Sequence, residues 1–315
     1  MALISVILPC HNEEDVVSAM FQKLVGVTKN LPNDNFEFIF VDDGSTDTTF
    51  TELRKIHQID RRVVLVRLTT NFGHQKALIA GMSQSSGDAI ITMDADLQHP
   101  PELIGLLITK WSEGYEVVTC KRTSDTDASL FKRVFSTGFY WLISCLSNII
   151  IPASASDFRL VSRRVMNYLI AYNTHSPFLR GMVAQLGFRS FIVEFRPDAR
   201  VAGRPSYSFR RSLMLAIDGV TGLSIAPLRL AFGIGFFTTV CSVFFGLYWI
   251  YRKFVSQVEI TGGLTDIFLL LIFLGGIQLM FLGVLGEYIG RIFTHGLGRP
   301  PYVIDEIIKT DLTDA

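Results

Sequence analysis

The chain of 315 residues has few cysteines and no net charge. Its four cysteines, Cys10, Cys120, Cys145 and Cys241, are scattered and form no C-x-x-C pair. That excludes a sequence-legible disulfide framework or thiolate zinc site and reads as reduced, non-ligating thiols. Lysine plus arginine number 29 and aspartate plus glutamate also 29, a formal charge of +0. No basic excess points to nucleic acid as a partner. The first residues lack a basic n-region and reach Pro9 early, which argues against a cleaved signal peptide. Internal repeats and low-complexity tracts are also missing, which removes solenoid and compositionally disordered classes.

Apolar residues are what the chain has in excess. Hydrophobic residues make up 49% and the mean hydropathy is +0.36, high for a soluble enzyme. Much of that excess sits in two runs, Leu228 to Tyr251 and Ile267 to Leu285. Each approaches the ~20 residues that cross a bilayer as a helix. Gly233, Gly235, Gly246, Gly275, Gly276 and Gly283 punctuate them, a cost in soluble helices but common in membrane ones. The linker Val255 to Asp266 is short, so the sequence predicts a hairpin over 227–290, with spans at 228–251 and 265–287. Arg210, Arg211, Arg229, Arg291 and Arg299 flank the outer ends, against Arg252 and Lys253 at the linker, which favours a cytoplasmic main domain. Small residues along the hairpin also let it pack against copies of itself, a route to a homo-oligomer.

Residues 1–205 alternate strand-like and helix-like segments, the pattern of an α/β domain. Strands are expected at Ile4–Leu8, Phe36–Val41, Val63–Arg67, Ala89–Met93, Glu116–Cys120 and Ser190–Phe195. Helices are expected at Glu14–Val27, Thr48–Gln58, Gln75–Ser83 and Glu102–Glu113. Leu130 to Ile149 has apolar residues at helical spacing; a core-packing helix and a membrane-surface helix with a basic edge both fit. Residues 206–226 read as interfacial amphipathic helices, and 291–315 as a cytoplasmic C-terminal tail.

Three of the expected strands end in polar, acid-bearing turns. Pro9-Cys10-His11-Asn12-Glu13-Glu14 follows the first, Asp42-Asp43-Gly44-Ser45 the second, and Asp94-Ala95-Asp96-Leu97-Gln98 the fourth. Acids at strand ends point to one crevice at the carboxyl edge of a parallel sheet. Asp94 and Asp96, at i and i+2 past a strand, can meet one hard divalent cation, Mg²⁺ or Mn²⁺. Asp43 and Asp47 read as turn-forming and capping residues. Lys76 either neutralises a phosphate or supports the acidic loop.

Five segments now form a series: L-P-C-H-N-E-E from Leu8, V-D-D-G-S-T-D from Val41, N-F-G-H-Q-K-A from Asn71, M-D-A-D-L-Q-H-P-P from Met93, and S-D-F-R-L from Ser156. Together they resemble, in order, the motifs of the inverting, nucleotide-sugar-dependent glycosyltransferases of GT-A fold, in their polyprenyl-phosphate subgroup. That subgroup includes dolichyl-phosphate mannose synthase and the bactoprenol glucosyltransferases, and the C-terminal hairpin resembles the latter. The resemblance covers about residues 4 to 210 and implies a Rossmann-like, mostly parallel sheet. It implies that Pro9, His11, Glu13, Asp42, Lys76 and Asp94 line the nucleotide, although the family often carries Tyr where His11 stands. It assigns Asp94, Asp96 and Gln98 to the metal, and Asp157 to the catalytic carboxylate. Arg122, Arg133 and Ser136, with Arg200 and Arg204 of a closing loop, are implied to hold acceptor phosphate or donor diphosphate. The implied partners are a nucleotide sugar, UDP-hexose first, and polyprenyl phosphate in a membrane, with the protein in a bacterial inner membrane.

Other classes fit less well. A processive polysaccharide synthase would carry a Q-x-x-R-W run, which is missing, and two spans make a poor translocation channel. A phosphatase of the aspartyl-nucleophile class would not continue its D-x-D into Leu97-Gln98-His99. A non-enzymatic, membrane-anchored nucleotide-sugar-binding subunit would have no need of both D-x-D and Asp157.

Overall fold

The computed structural model describes residues 1–123, 155–172, 177–195, 226–255 and 264–310. These fall into two units: one builds the sheet and includes the chain from Pro300 onward, and the other holds two long helices.

The sheet has eight strands in the order β7-β5-β6-β4-β1-β2-β3-β8. They are β1 (Leu3–Cys10), β2 (Asn35–Asp42), β3 (Val63–Leu68), β4 (Ala89–Thr92), β5 (Val117–Arg122), β6 (Ala155–Ser162), β7 (Ser190–Phe195) and β8 (Ile304–Ile308). The pairs β1–β2, β1–β4, β2–β3 and β5–β7 are parallel, while β6 runs antiparallel to β4 and β5, and β8 antiparallel to β3. Central strands covered on both faces read as near-continuous apolar runs. Accordingly β1 is buried from Ile4 to Cys10 and β2 from Phe36 to Asp42.

Helices cover each face. On one, Val6, Leu8, Phe38 and Phe40 pack with Met20 and Leu24 of α1 (Val17–Thr28), Leu53 of α2 (Thr49–Ile59) and Leu107 of α4 (Ile104–Ser112). On the other, Ile7, Ile39 and Val41 pack with Leu78 of α3 (His74–Gln84), Val165 of α5 (Arg163–Ala171) and Met182 of α6 (Leu179–Gln185). Gly81 lies where a Cβ would come within 2.4 Å of Ile7, so α3 seats closely on β1.

Two strands escaped the sequence reading. β6 carries Asp157 and Arg159 at buried positions, which hides its strand character. β8 lies in the stretch read as a tail, where Ile304–Ile308 instead pairs with β3 as an edge strand. Its alternating half-buried and exposed residues are too few to announce a strand.

In the second unit, α7 (Ala226–Val255) and α8 (Leu264–Gly296) contact each other. They contain apolar windows Leu228–Phe245 and Phe273–Thr294, long enough to cross a membrane by length and composition. Phe232, Phe236, Leu270 and Leu279 are among their exposed side chains. The expected helices over 130–149 and 206–225 lie outside the described residues.

Candidate active site

The strand register gathers the acids on one edge. Cys10 pairs with Asp42 and Ile7 with Thr92, so parallel β1, β2 and β4 all run toward the same edge, β4 stopping three residues short of β1. Because β6 runs the other way, with Thr92 opposite Arg159, its first residues meet the end of β4. Continuing that register sets Asp157 level with Asp94.

At the β1–β2 end, side chains stitch two turns together. Asn12 Oδ1 accepts the Thr46 N–H at 2.9 Å, and the Asn12 N–H donates to Ser45 Oγ at 3.0 Å. The Glu13 N–H donates to Thr49 Oγ1 at 2.8 Å, and Glu14 Oε2 accepts the Thr48 N–H at 2.9 Å. Asn12 takes φ 57, which asparagine tolerates. Gly44 takes φ 64, and a Cβ there would come within 2.4 Å of the Thr70 carbonyl carbon, so only glycine fits. Asp43 takes the Phe72 and Gly73 N–H groups at 2.7 and 2.9 Å, and Asp47 takes the Thr49 N–H at 3.0 Å. Both are the loop-holding residues expected.

Asp42 is fully buried. Its Oδ1 accepts the Ser45 N–H at 3.0 Å, and its Oδ2 has no hydrogen bond among the described residues, with Arg67 Nε 3.6 Å away. A buried carboxylate oxygen left open is an acceptor for a ligand N–H or O–H. Pro9 is buried beside it in β1, while His11 is exposed with Nδ1 3.0 Å from the Asp43 carbonyl. The Lys76 ammonium lies 6.0 Å from the Phe72 ring centroid, at the first turn of α3.

The D-x-D turn is tightly set. Leu97 takes φ 63, and Asp96 Oδ1 accepts the Gln98 N–H at 3.1 Å. The Asp94 N–H donates to His99 Nδ1 at 3.0 Å, so the ring proton of this fully buried histidine belongs on Nε2. There it meets Ser156 Oγ at 2.8 Å. Burial pulls the His99 pKa down, in keeping with a neutral ring. Arg122 Nη2 stands 3.3 Å from the same Nε2, which brings this sequence-expected arginine to the turn. Asp94 Oδ1 is buried without a hydrogen bond among the described residues, and His74 Nε2 is 3.3 Å away.

Asp157 is the best-anchored group of the site. Its Oδ1 accepts from Arg159 Nη2 at 3.0 Å and Arg180 Nε at 3.1 Å, and its Oδ2 from Arg180 Nη2 at 2.9 Å and Gln75 Nε2 at 3.1 Å. Burial alone would raise its pKa, but the charge and hydrogen bonds of Arg180, then the charge of Arg159, outweigh it. The carboxyl is held well below the usual carboxylate range. Gln75 also accepts the Leu179 N–H at 3.2 Å, tying α3 to α6. His74 Nε2, 3.9 Å from Asp157 Oδ2, completes a line from Asp94 to Asp157.

The structure thus brings together Asp42, Asp94, Asp96, Gln98, Arg122 and Asp157 on one sheet edge. Arg133, Ser136, Arg200 and Arg204 lie outside the described residues. Sequence reasoning gave no role to His74, Gln75, His99, Arg159 and Arg180. The first four lie within the quoted motifs, and Arg180 lies outside all of them.

Comparison with known proteins decides the family. Residues 5–169 match Glycosyl transferase family 2, and residues 226–292 match the GtrB C-terminal hairpin. The uncharacterized glycosyltransferase YkcC of Bacillus subtilis (strain 168) is 40% identical over 302 residues, 96% of this chain and 93% of that one.

The chain belongs to glycosyl transferase family 2.

This glycosyltransferase is also similar to the bactoprenol glucosyl transferase of Shigella phage SfV, 36% identical over 301 residues, 96% of this chain and 97% of the relative. The prophage bactoprenol glucosyl transferase homolog of Escherichia coli (strain K12) is 34% identical over 306 residues, 97% and 99% of the two chains. Among solved structures, glucosyl-3-phosphoglycerate synthase from Mycobacterium tuberculosis, in complex with Mn²⁺, UDP and phosphoglyceric acid, superposes with TM-score 0.50 at 21% identity. The match covers 70% of this chain and 76% of that one, and gives the sheet domain its GT-A fold.

Proposed function

We propose that this glycosyltransferase moves a hexose, glucose as the best candidate, from UDP to polyprenyl phosphate of undecaprenyl type. The displacement is single and inverting, assisted by Mg²⁺ or Mn²⁺, at the cytoplasmic face of a bacterial inner membrane. One observation carries the reading: the D-x-D turn and Asp157 face one another across His74 on one sheet edge, in a chain with two membrane-length apolar helices. The bactoprenol in the names of two full-length relatives supports the lipid acceptor, and the UDP of the structural neighbour supports the donor.

The donor set fits a hard cation. Among the described residues no group of three or more His, Cys, Asp or Glu side chains is gathered to hold a metal. A cation here would rest on Asp94, whose Oδ1 is buried without a hydrogen bond among the described residues, with Asp96 and the Gln98 amide. When bound, it supplies Lewis-acid stabilisation to the departing diphosphate. The residues themselves do the rest. Asp42 Oδ2 offers an acceptor to the base or ribose. Asn12, Asp43 and Gly44 hold the turns that shape that pocket. His99 fixes the Asp94 backbone.

The test is a panel of radiolabelled nucleotide sugars, with membranes carrying the protein and added undecaprenyl phosphate. Label from UDP-glucose should enter the organic phase only when the lipid is present. Transfer to water or to a growing polymer instead would overturn the reading.

Chain connectivity supports the topology: α8 ends at Gly296 and the chain enters the sheet at Ile304. With two spans and a short linker, this reading puts the connection between the two spans on the outside. A cysteine replacing Ser256, in a Cys241→Ser background, should react with a membrane-impermeant maleimide on intact cells. Labelling only after the cells are opened would place the linker inside.

A further inference from the structure

Gln75, the second residue of α3, meets the site with an amide whose orientation its neighbours dictate. Its Oε1 accepts the Leu179 N–H at 3.2 Å, so its nitrogen is the end turned to Asp157 Oδ2, at 3.1 Å. Flipped, the amide would set its oxygen against a carboxylate and its N–H groups against a backbone N–H, and both hydrogen bonds would be lost. The bond to α6 therefore does two things: it joins two helices and it aims a donor.

That donor differs in kind from the others on Asp157. Arg159 reaches it from two positions along β6, and Arg180 from α6 through a long, partly exposed side chain. The Arg180 fork keeps the carboxylate coplanar with its own guanidinium, but the two can swing together, because the terminal torsion of an aspartate is broad. Gln75 comes instead from a helix start that is held on every side. The Phe72 and Gly73 N–H groups donate to Asp43, and the Ala77 N–H returns to the Gly73 carbonyl at 3.1 Å to close the first turn. Ala77 and Leu78, next in the helix, are buried in the core. A continuous path of hydrogen bonds thus runs from Asp43, beside Asp42, through the first turn of α3 to Asp157.

We infer that Gln75 is a positioning residue: it sets the plane of the Asp157 carboxylate and ties that plane to the turn beside Asp42. The inference rests on the reading that Asp157 acts in hexose transfer.

Two variants of the full-length protein separate the aimed donor from the helix tie. Gln75→Glu keeps an oxygen for the Leu179 N–H and loses the donor to Asp157, whereas Gln75→Met loses both. Each should lower kcat on the order of 10- to 100-fold, the value of a hydrogen bond to a charged group, with KM for donor and for polyprenyl phosphate near wild type. Added to Asp157→Asn, Gln75→Glu should cost little more, because it acts through the same carboxylate. A residue that only ties the helices would leave Gln75→Glu at the wild-type kcat, and that result overturns the inference. Losses that multiply in the double variant, or a change confined to KM, overturn it too. UDP binding by calorimetry reports folding; were Gln75→Met to fail it, Gln75→Glu carries the test. A crystal structure of Gln75→Glu reads the inference without turnover. An Asp157 carboxylate turned out of its wild-type plane supports it, and an unmoved one refutes it. A wild type that transfers nothing to lipid refutes the proposed reaction, and the carboxylate plane in that structure still decides the role of Gln75.

Discussion

Asp157→Asn will lower kcat on the order of 10²- to 10⁴-fold, the range spanned by lost proton transfer or lost positioning, and raising the pH will not restore it. A catalytic base works best with a pKa near the working pH. Asp157 is pushed the other way: burial raises its pKa, but Arg180 and Arg159 pull it well below the usual carboxylate range. Its nucleophile also has little need of a base, since a phosphate monoester has a second pKa near ~6 and is mostly dianionic at neutral pH. The sign of the linkage agrees. With the folded pKa depressed, the pairing stabilises the fold above the ordinary carboxylate pKa and is lost only as pH falls through the folded value. Between about pH 6 and pH 9.5, a range that brackets the acceptor's titration, Asp157 therefore stays charged and contributes no limb to the profile. An amide at this position keeps the size, loses the charge and turns an N–H toward Arg180. That damages geometry, which deprotonation does not repair. The measurement is the pH–rate profile of the variant over that range, with donor binding measured alongside. A rate that climbs steadily with pH toward wild type would make Asp157 a general base after all.

Why some of this was legible in the sequence and some not has physical reasons. Strands buried on both faces are mostly apolar, so β1, β2 and β4 stood out as runs, and the acids at their ends marked the edge. β6 obeys the same burial rule but carries Asp157 and Arg159 inside. Each is tolerated because the other is within hydrogen-bond distance, at 3.0 Å, and composition cannot show that two charges neutralise one another. β8 adds only an edge, where half-buried and exposed residues alternate and the apolar signal is correspondingly weak. The site divides similarly. Asp94 and Asp96 are two residues apart in the chain, so their joint role is readable from spacing. Arg180 reaches Asp157 from 23 positions away, and Gln75 from 82, so only the folded chain makes them one cluster. His99 was visible as a neighbour of the turn, but its task, holding the Asp94 N–H, depends on a backbone path through the left-handed Leu97.

Asp96→Ala is expected to lose transfer on the order of 10³-fold or more, the scale of several kcal/mol of Lewis-acid stabilisation. A chelator should abolish wild-type activity, and Mg²⁺ or Mn²⁺ should restore it. The argument begins with what the turn leaves undone. Among the described residues Asp94 Oδ1 is buried with no hydrogen bond, His74 Nε2 standing 3.3 Å away, a costly state for a carboxylate oxygen that a ligand would relieve. Asp96 spends Oδ1 on the Gln98 N–H, which holds the turn in shape. Removing the Asp96 carboxylate therefore takes away both charge and the brace on Gln98. Asp96→Asn separates these effects: an amide oxygen can still accept the Gln98 N–H, so the turn survives and the charge does not. Both variants should bind Mn²⁺ more weakly in an electron paramagnetic resonance titration, a readout independent of turnover. UDP should tighten Mn²⁺ binding in the wild type more than in either variant, because a hard cation shares its ligands with diphosphate oxygens. Full activity of Asp96→Ala in metal-free buffer, or Mn²⁺ affinity equal to wild type in both variants, would remove the turn from the reaction.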